Sequence, residues 1–437
     1  MRICHACRKE NARGSAMEFL TRINDFLSAL FCACFAYQII YLAVALLKRP
    51  KPLPPAVPRR YAAILCARNE EAVIGNLIES IHAQKYPGGL VDVYVCADNC
   101  TDGTAAVARA RGAIVFERFD SMRIGKGYAL DFLFERLRAS GAFARYDGFF
   151  FFDADNLLHE DFIAEMNKSF AAGNRIITSY RNSKNYGDNW ISAGYSLWFL
   201  RDAQYMNNPR MQLKTSSVVG GTGFLVAREV IEKNGGWPFH LLTEDTEFTI
   251  DSVLSGEFIA YCGNAILYDE QPTSFRQSWR QRLRWSRGYL QVLRKYGARL
   301  VSGVFRGGKR GYACFDMLMA ILPAIVLTLA CALLNAGGAL YSLIVLREPV
   351  LGTLCGELLC WFGGMYVTLL ATGAVTLASE WKRIYCGSFR KVFFLFTFPL
   401  FMMTYLPVSV AALFQKAEWK PIRHSVNKTL ADLRDAA

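Results

Sequence analysis

Asp153 and Asp155, separated only by Ala154, stand directly after four consecutive phenylalanines, Phe149 to Phe152. Four Phe in a row leave no polar face for water, so this run reads as a strand buried on both sides. Alternate strand residues point the same way, so the two carboxylates can converge on one hard cation, Mg²⁺ or Mn²⁺. Such an ion, held by one or two carboxylates, completes its shell with water and phosphate oxygens. A solvated Asp-x-Asp turn fits the same residues equally well, and the choice rests on what else reaches this strand end.

In an open α/β sheet, ligands sit at the carboxyl ends of the strands, and several polar loops share that end. Arg68-Asn69-Glu70 follows an apolar strand, Tyr61 to Ala67. Asp98 ends the next strand, Val91 to Ala97, where it can accept hydrogen bonds from a base or ribose. Asp102, followed by Gly103 and Thr104, reads instead as a turn and helix cap. Gly125-Lys126-Gly127 opens a helix, joining a cation to the positive end of a helix dipole, which suits an anion. It lacks P-loop spacing, and no Gly-x-Gly-x-x-Gly follows the first strand, which weakens ATPase and dinucleotide readings. Val219-Gly220-Gly221-Thr222-Gly223-Phe224 suggests backbone closely approached by a ligand, or a tight turn. Thr243-Glu244-Asp245-Thr246-Glu247 starts a helix with Thr243 as N-cap. Capping and the helix dipole explain Glu247 well, and the crowding of three acids less well.

These loops need a scaffold that delivers them to one edge. Strands alternate with helices at Glu70–Gln84, Thr104–Arg111 and Lys126–Arg138, with a third strand at Ala113–Glu117, which predicts a mainly parallel α/β sheet. A chain of 437 residues with 53% hydrophobic content exceeds one soluble domain. Four stretches lack charge for long enough to cross a bilayer: Phe26–Leu47, Met317–Leu346, Leu358–Ser379 and Val392–Phe414. The expected plan is a tail over 1–25, an anchor over 26–47, a Pro-rich basic linker over 48–60 and an α/β domain over 61–270. Interfacial helices over 271–312, a membrane bundle over 313–414 and a basic tail over 415–437 complete it.

The net charge is +13, and Arg276 to Arg310 carries eleven basic residues and no acid. Placed beside membrane segments, this charge puts the α/β domain on the cytoplasmic side. Aromatics interleaved with basics on an exposed sheet face are missing, so nucleic acid is not an expected partner. Gln277 to Tyr296 reads as a basic amphipathic helix lying in the membrane interface, which alone accounts for Arg282, Arg284 and Trp285. Thirteen cysteines form no disulfide framework, and Cys4-His5-Ala6-Cys7 is half a zinc site without a second half.

Taken in order, Asp98, Asp153-Ala154-Asp155, Thr243-Glu244-Asp245 and Gln281-Arg282-Leu283-Arg284-Trp285 resemble the membrane-embedded family 2 glycosyltransferases. That group includes the cellulose, chitin, hyaluronan and poly-N-acetylglucosamine synthases, and the resemblance covers Tyr61 to Tyr296. It implies a GT-A-type, Rossmann-like domain with flanking transmembrane helices in a bacterial plasma membrane. It also implies inverting, metal-dependent transfer from a nucleotide sugar, with a UDP-sugar expected, to a growing polysaccharide, or alternatively to a lipid. Carried over, Arg68, Asn69, Glu70, Asp98, Lys126, Asp153 and Arg284 would hold the nucleotide sugar, and Asp153 with Asp155 the metal. Asp245 would be the general base. Gly221, Thr222, Gly223, Phe224, Glu244, Gln281 and Trp285 would face the acceptor. The chain departs from the group at Ala97, where a second aspartate often precedes Asp98, so the base is less fixed than the sugar chemistry. A non-catalytic transport or scaffold subunit is the reading from another class, and intact acids at Asp153, Asp155 and Asp245 argue against it.

Overall fold

The computed structural model describes residue 18, residues 21–48, 51–341, 344, 351–415, 424, 426 and 428–435. Its central strand is β4 (Gly148–Asp153), and all four phenylalanines in it are fully buried. Phe149 and Phe151 enter one apolar cluster and Phe150 and Phe152 another, so the strand is covered on both faces. β1 (Tyr61–Ala67) pairs with β4 in parallel, and β2 (Val91–Asp98) and β3 (Ile114–Arg118) continue the parallel sheet outwards. Cys66 is level with Asp153 and Cys96, so the carboxyl ends of three strands form one rim.

Beyond β4 the sheet is mixed. The remaining strands are β5 (Leu157–Leu158), β6 (Ile176–Ser183), β7 (Phe224–Ala227) and β8 (Ile259–Asp269), and the order is β3-β2-β1-β4-β7-β6-β8-β5. β7 runs antiparallel to both β4 and β6 because it starts at the rim and descends. Its start is fixed by Gly223, whose N–H donates to Phe151 O at 2.8 Å and whose φ is +67°. A Cβ there would stand 1.8 Å from Leu267 Cδ2, so only glycine fits. The loop expected to face an acceptor is therefore first a strand entry.

Helices α1 (Tyr37–Leu47), α2 (Ile74–His82), α3 (Thr104–Ala110), α4 (Lys126–Ala139), α5 (Phe162–Ala171), α6 (Trp190–Arg201) and α7 (Glu244–Leu254) accompany the sheet. α2 begins later than the apolar spacing suggests, since Asn69 adopts a left-handed φ of 59° and Glu70 N–H donates to Thr104 Oγ1. The basic helix α8 (Phe275–Val304) outruns its expected bounds at both ends. It is followed by α9 (Gly308–Tyr341), α10 (Leu351–Glu380), α11 (Ser388–Met403) and α12 (Tyr405–Phe414). Val292, Tyr296 and Leu300 of α8 and Ala313 and Met317 of α9 share one cluster with Phe151, so the sheet and the C-terminal helices have a common core.

Among the described residues, three helical stretches are long and apolar enough to cross a membrane: Thr21–Leu47, Leu358–Arg383 and Ser388–Phe414. The remaining expected stretch, Met317–Leu346, follows α9 to Tyr341 and then enters residues outside the described ones. The Cys4–Cys7 pair and residues 416–423 also lie outside them. A buried ion pair joins these parts: Arg210 grips Asp316 of α9 through two bonds of 2.7 and 2.9 Å, and Tyr41 of α1 donates to the same carboxylate at 2.8 Å.

Phe151 stacks on Phe224 with centroids 4.4 Å apart and lies 4.9 Å from Trp237. Phe151→Ala is expected to destabilise the protein by about 3–5 kcal/mol, read as a lowered thermal midpoint in detergent. An unchanged midpoint would remove this strand from the core.

Candidate active site

Lys126 is where three parts of the chain meet. It is the first residue of α4, and the glycine after it lets that helix end approach the Trp237–His240 segment: a Cβ on Gly127 would lie 2.0 Å from Phe239 O. The Lys126 ammonium pairs with Asp153 and donates to Gly221 O at 2.7 Å. Burial works against its charge, but Asp153 and Glu244 outweigh it and hold the amine above the ordinary lysine range. Gly221 in turn backs onto the acids of α7, since a Cβ there would sit 3.3 Å from Asp245 Oδ2. Asp153 from β4, the 219–223 loop and Asp245 from α7 are thus brought to one place.

The turn after β4 is braced from below. Asp153 N–H is shared between Thr222 Oγ1 at 2.9 Å and Asn156 Oδ1 at 3.1 Å, and Thr222 also donates to Asn156. Asn156 Nδ2 donates to Asp269 Oδ1 at 2.8 Å, and Arg181 neutralises Asp269 through Nε at 2.9 Å. Asp155 Oδ2 accepts from Glu270 N–H at 2.9 Å. The Glu70 carboxyl is pushed up to about 7, mainly by burial and against the pull of its partner His424, with the charges of Asp155 and Asp153 adding to the rise. Asp153 and Asp155 themselves offer carboxylate oxygens, the kind of donor that suits Mg²⁺ or Mn²⁺.

Glu244 is buried and its neighbour Asp245 is partly buried. Burial raises both; Glu244 is raised further by the charge of Asp245, while Lys126 and Arg284 pull both down. Gln281 Oε1 and Thr243 Oγ1, on either side of these acids in sequence order, are buried without a hydrogen-bond partner among the described residues. Thr243 holds the N-cap position of α7 but its side chain makes no capping bond, contrary to expectation. Glu247 is structural: it accepts from Leu241 N–H at 3.0 Å and pairs with Lys295 of α8 at 2.5 Å.

Other predicted site residues are placed differently. Asp98 is buried, accepts from Arg118 at 2.6 Å and from Asn99 at 3.0 Å, and its carboxyl is raised by burial against the opposing charges of Arg118 and Arg68. Asn69 braces the neighbouring loop by accepting from Thr101 N–H at 2.8 Å. Phe224, expected at the acceptor, is a core residue between Phe151 and Phe248, because the first residue of an inner strand faces the helix layer. Thr222 is likewise buried, turned down onto Asp153 and Asn156. Trp285 meets Tyr195 and Phe199 of α6 edge-on at 5.9 and 6.4 Å, and Arg284 reaches Leu242 O at 3.5 Å. Arg282, expected only to sit in the interface, is fully buried between the rings of Phe401 and Tyr405 and donates to Thr404 Oγ1 at 2.5 Å. It locks α8 to the junction of α11 and α12. Arg118, Asn156, Arg181 and His424 were not among the expected residues. Arg118 alone carried a signal, since it ends a strand paired level with Asp98.

Residues 58–288 match the family described as glycosyltransferase like family 2. The chain belongs to that family. Over 262 residues it is 25% identical to the probable glycosyltransferase YdaM of Bacillus subtilis, covering 54% of this chain and 57% of YdaM. A beta-monoglucosyldiacylglycerol synthase from a Synechocystis species is 26% identical over 238 residues, 52% of this chain and 47% of that protein. A 65-residue stretch, 15% of this chain and 16% of the relative, is 49% identical to a 4,4'-diaponeurosporenoate glycosyltransferase of Staphylococcus aureus. The chain spans about half the length of the curated relatives it matches first, 57% and 47%. The solved mannosyltransferase PcManGT of Pyrobaculum calidifontis, in complex with GDP-Man and Mn2+, superposes with a TM-score of 0.54 at 17% identity over 89% of this chain and 98% of that one. The sheet domain of this family 2 glycosyltransferase is accordingly of the GT-A, Rossmann-like type.

Lys126→Met, which keeps the length and removes the charge, is expected to lower kcat/KM for sugar transfer by about 10²–10³-fold, the loss seen when one preorganised charge-stabilising donor is removed. Transfer at the wild-type rate would separate Lys126 from the reaction.

Proposed function

We propose that this chain is an inverting, divalent-metal-dependent transferase that moves a sugar from a nucleoside-diphosphate donor to a hydroxyl of a membrane lipid. The observation that carries the reading is the Lys126 junction, which sets a cation between Asp153 and the loop beneath Asp245. The donor leaves as a diphosphate, so charge grows on its oxygens in the transition state and must be met by preorganised cations. Lys126 and Arg284 supply two of them. Asp155, with Asp153 beside it, would hold Mg²⁺ or Mn²⁺, and a bound ion would screen the leaving diphosphate as a Lewis acid. Asp245 takes the proton of the attacking hydroxyl, a role that contributes about 10²–10⁴-fold. A base facing the anomeric carbon from the side opposite the leaving group implies inversion. Gln281 Oε1 and Thr243 Oγ1, both buried and unpaired among the described residues, suit the hydroxyls of an acceptor.

A lipid acceptor is favoured over a growing polysaccharide by two considerations. Relatives of this chain are named for glucosyldiacylglycerol synthesis and for transfer to diaponeurosporenoate. Arg282 and the common core also fasten the acceptor-side helix α8 to apolar helices, so an acceptor tail can remain in lipid while its hydroxyl reaches Asp245. The polysaccharide reading rests on the resemblance of the acceptor-loop pattern and the C-terminal helix bundle to the polymer synthases. The basic run of Arg276 to Arg310 supports a donor site on the cytoplasmic side.

Radiolabelled UDP- and GDP-sugars offered to the detergent-solubilised chain with extracted lipids should give label in the organic phase. Label found only in long water-soluble polymer would overturn the lipid assignment. Asp245→Asn should reduce transfer by at least about 10²-fold while nucleotide binding, followed by calorimetry, persists. Because burial raises the Asp245 carboxyl and the base must be ionised, the rate should fall as pH drops through a value above that of free aspartate, about 3.9. Glu244 is itself pushed up to about 7 by burial and by the charge of Asp245, so Glu244→Gln should leave that acid limb where it is. An acid limb that moves in Glu244→Gln would assign it to Glu244 instead of Asp245.

A further inference from the structure

Two cations hold the loop from Val219 to Gly223, and the proposed reaction uses one of them. Lys126 donates to Gly221 O at 2.7 Å, while Arg181 of β6 donates from Nη1 to Gly220 O at 2.9 Å. Their carboxylate partners, Asp153 and Asp269, are joined through Asn156, which accepts from Asp153 N–H at 3.1 Å and donates to Asp269 Oδ1 at 2.8 Å. The contacts close into a ring: Lys126, Asp153, Asn156, Asp269, Arg181, and back along the loop from Gly220 to Gly221. Gly220 is exposed, and a Cβ there would meet nothing within 4 Å, so this part of the ring borders open space.

Arg181 also reaches out of the ring. Its guanidinium carbon stands 3.9 Å from the centroid of the Phe199 ring on α6. Phe199 lies 6.4 Å from Trp285 of α8, and Tyr195, one helical turn before Phe199, lies 5.9 Å from the same indole. Tyr195 is fixed in turn, with its hydroxyl 3.1 Å from Ser278 Oγ of α8. Phe199 and Trp285 are only half-buried, so part of each ring stays accessible. A guanidinium can do here what an ammonium cannot. Nε and Nη2 both donate to Asp269, Nη1 reaches the loop carbonyl, and the π-face is left for the aromatic ring.

We propose that Arg181 is a positioning residue for transfer: by tying Gly220 to Phe199, it sets the spacing between the donor-side carboxylates and the aromatic wall against which the acceptor rests. Gly220 precedes the glycine that faces Asp245, so fixing it against the wall fixes where an acceptor hydroxyl stands relative to that base. The inference rests on the reading of this chain as a transferase with its acceptor on the Trp285 side. Arg181 itself carries no proton of the reaction and meets no leaving group.

The test uses the full chain in detergent and measures two rates: transfer to extracted lipid, and hydrolysis of the same nucleotide sugar by water. Hydrolysis needs the donor site but no seated acceptor. Arg181→Lys keeps a charge beside Asp269 but loses the fork and the stacking face. It should lower kcat for transfer by about 10²-fold, the cost of a small misplacement of reactants, with donor KM and hydrolysis unchanged. A purely structural role would not shift the ratio of transfer to hydrolysis, since a smaller folded fraction scales both rates together. Phe199→Leu leaves the hydrogen bonds of Arg181 in place and should lower the same ratio. In the double variant the loss should fall short of the product of the two single losses, because both substitutions break one contact. A ratio left unchanged in either single variant, or losses that simply multiply, would overturn this inference and leave the transferase reading standing. Wild-type protein that moves no sugar to lipid overturns both.

Discussion

A single part-buried ammonium holds this site together. Lys126 pairs with the carboxylate that ends β4 and donates to the carbonyl of Gly221, whose Cα faces Asp245. Removing a charge from water is costly, and leaving it uncompensated costs several kcal/mol. The protein therefore cannot separate Asp153, the 219–223 loop and α7 without stranding Lys126 or its partners. The same constraint leaves a concentrated positive charge beside a strand end, which is what a departing diphosphate requires. Structural cohesion and electrostatic readiness arise from one contact.

The rest of the molecule keeps that contact in register. Four buried phenylalanines fix β4 from both faces, and the Thr222–Asn156–Asp269 chain fixes the turn beyond it. The membrane-directed helices are fixed by equally specific means. Arg282 is clamped between aromatic rings of the last two helices, and Arg210 joins Asp316 and Tyr41 across three segments. The apolar helices and the sheet share one core, so a displacement of those helices reaches the rim through packed side chains. Under the proposed function, with an aqueous donor and an acceptor hydroxyl entering from lipid, that rigidity would keep the two reactants in line.

Much of this was legible in the residues. The phenylalanine run announced a two-sided strand, the loops after β1, β2 and β4 announced a common rim, and Gly125-Lys126-Gly127 announced a helix opening beside an anion. Each of these is a local pattern with a local cause. Phe224 and Thr222 misled because a glycine-rich loop before a strand looks the same whether it cradles a ligand or merely reverses the chain; their burial is settled by the neighbours β4 and α7 supply. Arg181, Asn156 and above all His424 were invisible, since their partners lie far away in sequence, 354 residues in the case of Glu70. No periodicity records such a meeting. The antiparallel β7 was hidden for a related reason, because a four-residue strand carries too little pattern to reveal its direction.

The most direct test of the account is a structure of the full chain in detergent or nanodisc with Mn²⁺ and the nucleotide sugar it accepts, the metal located by its anomalous signal or by density. The diphosphate should lie between Lys126 and the ion at Asp155, with the anomeric carbon open to Asp245 from the opposite side. A nucleotide bound elsewhere, or an Asp245 carboxylate turned away from the sugar, would contradict it.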